Sequence, residues 1–407
     1  MTEDKKPSNP IDVFEFAVAK VPIIEENLLI NTRTPWVFYG PSNLAPQELI
    51  RLFNSSPTHR AALNSKWFGV RGESLSIKEG DNTRLLMANP MGDNLYDIWQ
   101  KASLDFLLYG CISLNIVWRK DRDAGFDIYY MDASKLRAGR TDMHDRINDY
   151  YYSADWVNPK KAPFIPRRIP AFDVRTEEPS QVFYYTTHSV GNQYYATPTY
   201  WGAATAVSTE VEIYNYWYNS ICNNLQPSLF VSINSGIPGP EEREDIYNTL
   251  VSKYSSSNNP SKLLLTFANS KEEAPEVTMI QPSGTDKMWI EMGSSVQQAI
   301  LTAHQISSAE LLGISTPGAL SQRDHLEAQD HFNNLVIKPL QTELLSVFNK
   351  ILTLRDGVKT ELEVEQFNMV TIPDAAPVET INETRTEDVA VDKTEALDIN
   401  KSETINN

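Results

Sequence analysis

The chain has 407 residues, 41% hydrophobic and 22% charged, with a formal net charge of −17. That length exceeds one compact core and points to several structural units of a folded soluble protein. No apolar run approaches the roughly 18 residues of a transmembrane helix, the opening MTEDKKPSNP lacks a signal segment, and 36 basic against 53 acidic residues argue against a protein that grips nucleic acid by neutralising phosphates.

Residues 1–46 mix charges, prolines and short apolar runs and are expected to form an extended N-terminal arm. After Ala45, PQELIRLFNSSPTHRAALNSKWFGV has helical spacing, with Leu49, Leu52 and Phe53, then Ala61, Leu63 and Trp67. A second helix is expected over 94–110, capped by Asn94, with Gly110 either stopping it or letting another backbone pass close. CISLNIVWRKD (111–121) and GFDIYYMD (125–132) read as paired strands across a polar turn. The Tyr-, Pro- and Asp-rich stretch to residue 193 reads as irregular strands and loops, so that 47–197 forms one α+β domain.

A different kind of segment follows. From Pro198 to Asn224 there is no Lys or Arg, only two acids, Glu210 and Glu212, and six aromatics. Pro198 suits the first turn of a helix, and Asn223, Asn224 and Pro227 suit its end; the helix would be about 40 Å long. Tyr214, Trp217 and Tyr218 fall at i, i+3 and i+4, one face that something must cover. Tyr and Trp are favoured at interfaces, which points to a neighbouring subunit.

Then comes a compact unit: strand 228–234, helix 240–256 and strands 262–269 and 276–282. A second long helix starts near Thr285, so two helices flank a small α/β insert. After the loop GISTPGALS (313–321), a third helix spans 322–354, with Pro339 expected to kink or split it. A last strand is expected over 361–372. From Asp374 to Asn407 nine acids stand against three bases, without aromatics or apolar periodicity, and the segment reads as a disordered acidic tail. Without it the body still carries −11.

Motifs of catalysis are missing: there is no G-x-x-x-x-G-K, G-x-G-x-x-G or G-x-S-x-G. His325 and His331, with five residues between them, fall on opposite sides of a helix rather than at metal-ligand spacing. Cys111 and Cys222, both in apolar segments, make neither a disulfide scaffold nor a zinc site and fit a reducing compartment. The stretch KKAPFIPRRIPAFDVR (160–175) is the one cationic cluster; it reads either as a solvated loop or as a contact for nucleic acid or an acidic partner.

From residue 191 to 313 the layout resembles the portal proteins of tailed bacteriophages. The resemblance rests on Tyr194–Pro198 leading into the long helix, Asn223–Leu229 closing it, Gly239–Glu242 opening the insert's helix and Leu263–Leu265 as its strand. It continues with Gln281–Asp286 before the second long helix and Leu311-Leu312-Gly313 after it, and extends to Leu108–Leu114 upstream and Val336–Leu340 downstream. Where the family has F-G-V-P-P, this chain has His304–Ser308.

The resemblance implies an α+β portal-like fold: a wing over 47–197, stem helices over 198–224 and 284–306, a clip over 225–283, and a tunnel loop, channel helix and reduced crown or wing return over 307–373. It also implies a ring of twelve copies without cofactor, enzymatic activity or membrane contact, at the portal vertex of a virion assembled in the bacterial host cytoplasm. Double-stranded DNA passes through such a ring. Terminase large subunit and a head–tail adaptor dock on it, and major capsid and scaffolding proteins surround it. On this reading Glu210 and Glu212 face the channel and keep DNA from sticking. Ser315, Thr316 and Gly318 belong to the tunnel loop, Tyr214, Trp217 and Tyr218 pack subunits together, and Glu241, Glu242 and Arg243 of the clip take part in docking. The competing readings are another virion or head-completion protein, and a carboxylate-based hydrolase without a recognisable motif.

Overall fold

The computed structural model describes residues 34–85, 87–222, 230–233, 238–254, 264–267, 285–312 and 322–367. All lie within the first of the chain's two units, residues 1–367. The expected acidic tail, the tunnel loop and the strand expected over 276–282 lie outside the described residues.

The first expected helix is two, α1 (Ala45–Ser55) and α2 (Pro57–Arg71). Pro57 lacks an N–H and pushes Ser56 into an extended conformation, φ −96° and ψ 114°, from which the Ser56 side chain caps α2 at His59 N. Helix α3 (Leu95–Tyr109) opens on a capping box between Asn94 and Asp97. It ends at Gly110, where the expectation of a helix stop holds, while the two atoms that come closest belong to side chains. The residue is left-handed at φ +75°, and a Cβ there would sit 2.9 Å from Ala196 Cβ.

Strands β1 (Ser74–Ile77), β2 (Cys111–Trp118), β3 (Phe126–Tyr130), β4 (Leu136–Ala138), β5 (Asp149–Tyr152), β6 (Arg167–Pro170) and β7 (Ser180–Thr186) follow along the chain. Two antiparallel sheets, β3-β2-β7 and β4-β5-β6, meet through a bridge between Ala171 and Val182. The main core lies among α2, α3, the first sheet and a C-terminal helix, with Trp99 and Phe348 edge to face at 5.2 Å.

Residues 34–44, expected as part of the arm, are instead built into the second sheet. Trp36 bridges Gly139, Val37 N donates to Ala138 O, and Val37 and Tyr39 are buried. Buried Arg137 explains the attachment. Its guanidinium donates to Asn43 Oδ1 and Asn43 O at 2.7 Å each, to Ser134 O and to Leu136 O, and it faces the Trp156 ring at 4.7 Å. Neutral oxygens take its N–H groups, and burial lowers its pKa to about 10.

A 3-10 turn at Trp201–Ala203 precedes α4 (Ala204–Cys222), so this helix starts later than Pro198. Strand β8 (Phe230–Ile233), helix α5 (Pro240–Tyr254) and strand β9 (Leu264–Phe267) make a β-α-β unit with β8 and β9 parallel. Helix α6 (Thr285–Ala303) follows. The third long helix is α7 (Gln322–Phe332), a π turn over Asn333–Ile337 and α8 (Lys338–Asp356). Pro339, expected to kink or split it, does not split it. The wider turn just before the proline absorbs its missing N–H and ring bulk. Strand β10 (Leu362–Glu365) closes the unit by pairing antiparallel with β1.

Candidate functional site

The pair α4 and α6 sets these helices apart from the rest of the molecule. Their near ends are packed: Val207 and Val211 of α4 and Ile300 of α6 bury against Leu52 and Ala203. Toward their far ends the described side chains are open. From Tyr214 to Asn219 every residue of α4 is exposed, as is Ile290 on α6. The helices run antiparallel, because the start of α4 meets the end of α6 while Tyr214 and Trp217 lie beside Ile290, Gly293 and Ser294.

Between the far halves lies a groove of about 270 Å³. Ile213, Tyr214 and Trp217 form one wall, Ile290, Gly293 and Val296 the other, with Thr58 and Glu210 at its base. Tyr214 and Trp217 contact each other edge to face at 5.5 Å and remain 44% and 36% exposed; Tyr218 is 69% exposed. The three aromatics expected to pack subunits thus sit together on an open helix surface.

At the base of the pair is a buried polar cluster. Glu210 is 6% exposed and accepts hydrogen bonds from Ser56 Oγ and from Thr58 Oγ1. A carboxylate at the N-terminus of α2 suits the helix dipole. This corrects the sequence expectation for Glu210, which faces protein and not a channel. Its position three residues after Val207 and next to Val211 puts it on the buried stripe, a signal the charge-poor sequence carried. Glu212 is exposed.

One residue after Thr58 on α2, His59 brings its Nδ1 to 2.9 Å from His304 Nε2. Tyr200 stacks on His304 and donates to Leu108 O, and Lys66 is buried one helical stretch further along α2. With one proton on each ring, one N–H···N bond forms, and one N–H and one lone pair remain. His59 Nε2 and His304 Nδ1 have no hydrogen-bond partner among the described residues. Burial, reinforced by the Lys66 charge, lowers the His59 pKa to about 4; the same burial, with Lys66 and His59 nearby, lowers His304 further. Burial lowers Lys66 to about 8. Sequence reading missed this cluster because its members come from widely separated parts of the chain with no shared motif.

Glu241, Glu242 and Arg243 are exposed in the first turn of α5, and Arg243 Nε turns back to Pro238 O at 2.8 Å. Ser315, Thr316 and Gly318 lie outside the described residues. Among the described residues no group of three or more His, Cys, Asp or Glu is placed to hold a metal ion, and no helix is long and apolar enough to cross a membrane.

No family model matches the chain, and no curated protein matches it. Solved structures do. A chain in the neck of a native gene transfer agent (GTA) particle, computed with C12 symmetry, has 16% sequence identity and a TM-score of 0.52 over 86% of this chain and 89% of its own. A chain in the virion of the native GTA particle has 15% identity and a TM-score of 0.51 over 81% and 85%. A HK97-family phage portal protein from Corynebacterium diphtheriae, at 12% identity and a TM-score of 0.44 over 77% and 93%, is too dissimilar to carry weight. At such identities the GTA chains show a shared fold, a mixed helix-and-sheet architecture spanning most of both chains.

Proposed function

We propose that this chain is a portal protein of a tailed bacteriophage or a phage-like particle. It would form a ring at one capsid vertex, through which double-stranded DNA enters and leaves. The observation that carries the reading is the fold it shares, over 86% of its length, with a neck component of a particle computed with C12 symmetry. The open aromatic face of α4 supports it, because each copy in a closed head-to-tail ring is covered on two different faces.

In this proposal residues 47–197 are the wing, 198–224 and 284–306 the stem, 225–283 the clip, and 307–373 the tunnel loop, channel helix and return to the wing. Residues 34–44 go with the wing. Glu212 is the remaining channel-facing candidate of its pair. Ser315, Thr316 and Gly318 keep their place beside the channel on the family resemblance alone. Glu241 and Glu242 project from the clip, where terminase and a head–tail adaptor would dock. Capsid and scaffolding proteins would surround the wing, in the virion and during assembly in the host cytoplasm. The protein works as a conduit and needs no catalytic group.

Negative-stain microscopy with mass determination by light scattering tests the proposal. Rings of about twelve copies with a central hole are the expected outcome. A protein that stays monomeric alone and also with capsid and scaffolding proteins present would sink it.

A further inference from the structure

The hairpin of β5 and β6 carries a cationic surface to which the proposed function gives no role. Its connecting loop holds Lys160 and Lys161, and β6 opens on Arg167 and Arg168. Arg168 is paired with Asp149 at 2.7 Å. Lys160, Lys161 and Arg167 are exposed and form no ion pair among the described residues. In a body of net charge −11, unpaired cations gathered on one hairpin are out of keeping with the rest of the surface.

The loop is held in shape. Buried Trp156 donates to Lys135 O and faces Arg137. Ser153 Oγ is shared between Asp155 O and Phe164 O, and successive turns link Lys161 to Asn158 and Phe164 to Lys161. Asp155 is the only acid between β5 and β6, and its carboxylate is taken up locally, accepting from Val157 N and Asn158 Nδ2. It does not cancel the charge of the three cations. The same loop exposes two apolar side chains, Val157 at 64% and Ile165 at 62%, the latter between Lys161 and Arg167 in the chain.

From this combination we infer that the β5–β6 hairpin is a docking surface for an acidic segment of another protein whose carboxylates alternate with apolar side chains. Two observations favour a protein over nucleic acid. Strong phosphate binding draws on about six to ten cationic contacts, and this hairpin offers three. Exposed valine and isoleucine gain from apolar cover, which a phosphate backbone does not provide. The inference does not depend on ring formation.

The test uses the full chain and three probes: a labelled 14-residue peptide alternating Glu with Leu, the same peptide with Ser for Leu, and a 20-base-pair DNA duplex. Binding is read by fluorescence anisotropy at low and physiological salt. The Glu/Leu peptide is expected to bind best and to weaken as salt rises. The variant K160E/K161E/R167E should weaken it by about tenfold or more and Ile165→Ser by about threefold. Because all four positions are exposed, thermal melts should show the variants folded like the wild type. Tighter binding of the duplex than of the peptide, or equal peptide affinity for wild type and triple variant, would overturn the inference. So would self-association of the wild type that the triple variant abolishes, since that assigns the hairpin to a second copy.

Discussion

Glu210 and Glu212 are two residues apart and opposite in circumstance, and substitution should separate them. Glu210→Ala strips the partners from buried Ser56 and Thr58 and is expected to cost about 2–4 kcal/mol in urea denaturation. Glu212→Ala on the exposed side should change stability by about 0.5 kcal/mol or less. The histidine pair predicts a pH dependence whose sign is fixed. Both imidazoles have folded-state pKa values below the unfolded value of about 6.5, so the unfolded chain binds more protons below neutrality. Their contribution is fully present above pH 6.5 and is lost as pH falls toward 4, by about 2 kcal/mol per imidazole at pH 5. Denaturation midpoints at pH 7.5 and pH 5, compared between wild type and His59→Leu/His304→Leu, should show a smaller drop in the double variant. Lys66 has the opposite chemistry but the same cause. Burial disfavours its charge, so Lys66→Met is expected to raise stability at pH 7 by about 1–3 kcal/mol, and a loss of stability would mean that the ammonium has a partner.

Helix α8 packs the C-terminal part of the chain onto α3, and Phe348 is its central contact, fully buried against Trp99. Phe348→Ala should cost about 3–5 kcal/mol, measured by the same denaturation, because the surrounding helices cannot collapse into the space. How far elements could be read from sequence followed how local their causes are. The capping box of Asn94 and Asp97, the left-handed Gly110 and the β2–β3 pairing depend on residues a few positions apart, and the sequence states them. Pro57 is equally local, yet periodicity ran through it and hid the break between α1 and α2. Strand β1 pairs with β10, far along the chain, and four residues of SLSI carry too little pattern to announce that partner. The π turn before Pro339 was invisible because a proline specifies that a helix must adjust, not how. Likewise the shared face of the three α4 aromatics was legible by spacing, whereas the burial of Glu210 required knowing that Ser56 and Thr58 would come to meet it.

At the scale of the whole molecule, the exposed half of α4 decides between a chain complete by itself and one finished by its neighbours. Tyr214, Trp217 and Tyr218 together with Ile290 present an apolar surface around a groove that the single chain leaves open. Surfaces of this kind mark association sites. If copies cover them in a ring, Tyr218→Asp should leave the isolated chain as stable as wild type within about 0.5 kcal/mol, because that side chain is 69% exposed. The same variant should fail to form rings, because an aspartate in an apolar contact would be buried without a partner. A substitution elsewhere on the exposed surface, such as Met143→Asp, serves as the control and should leave ring formation intact. Light scattering on the variants separates the two accounts. Lost rings with an unchanged melt place the aromatic face at the contact between copies. Intact rings would place that contact elsewhere and return the aromatic groove to some other partner.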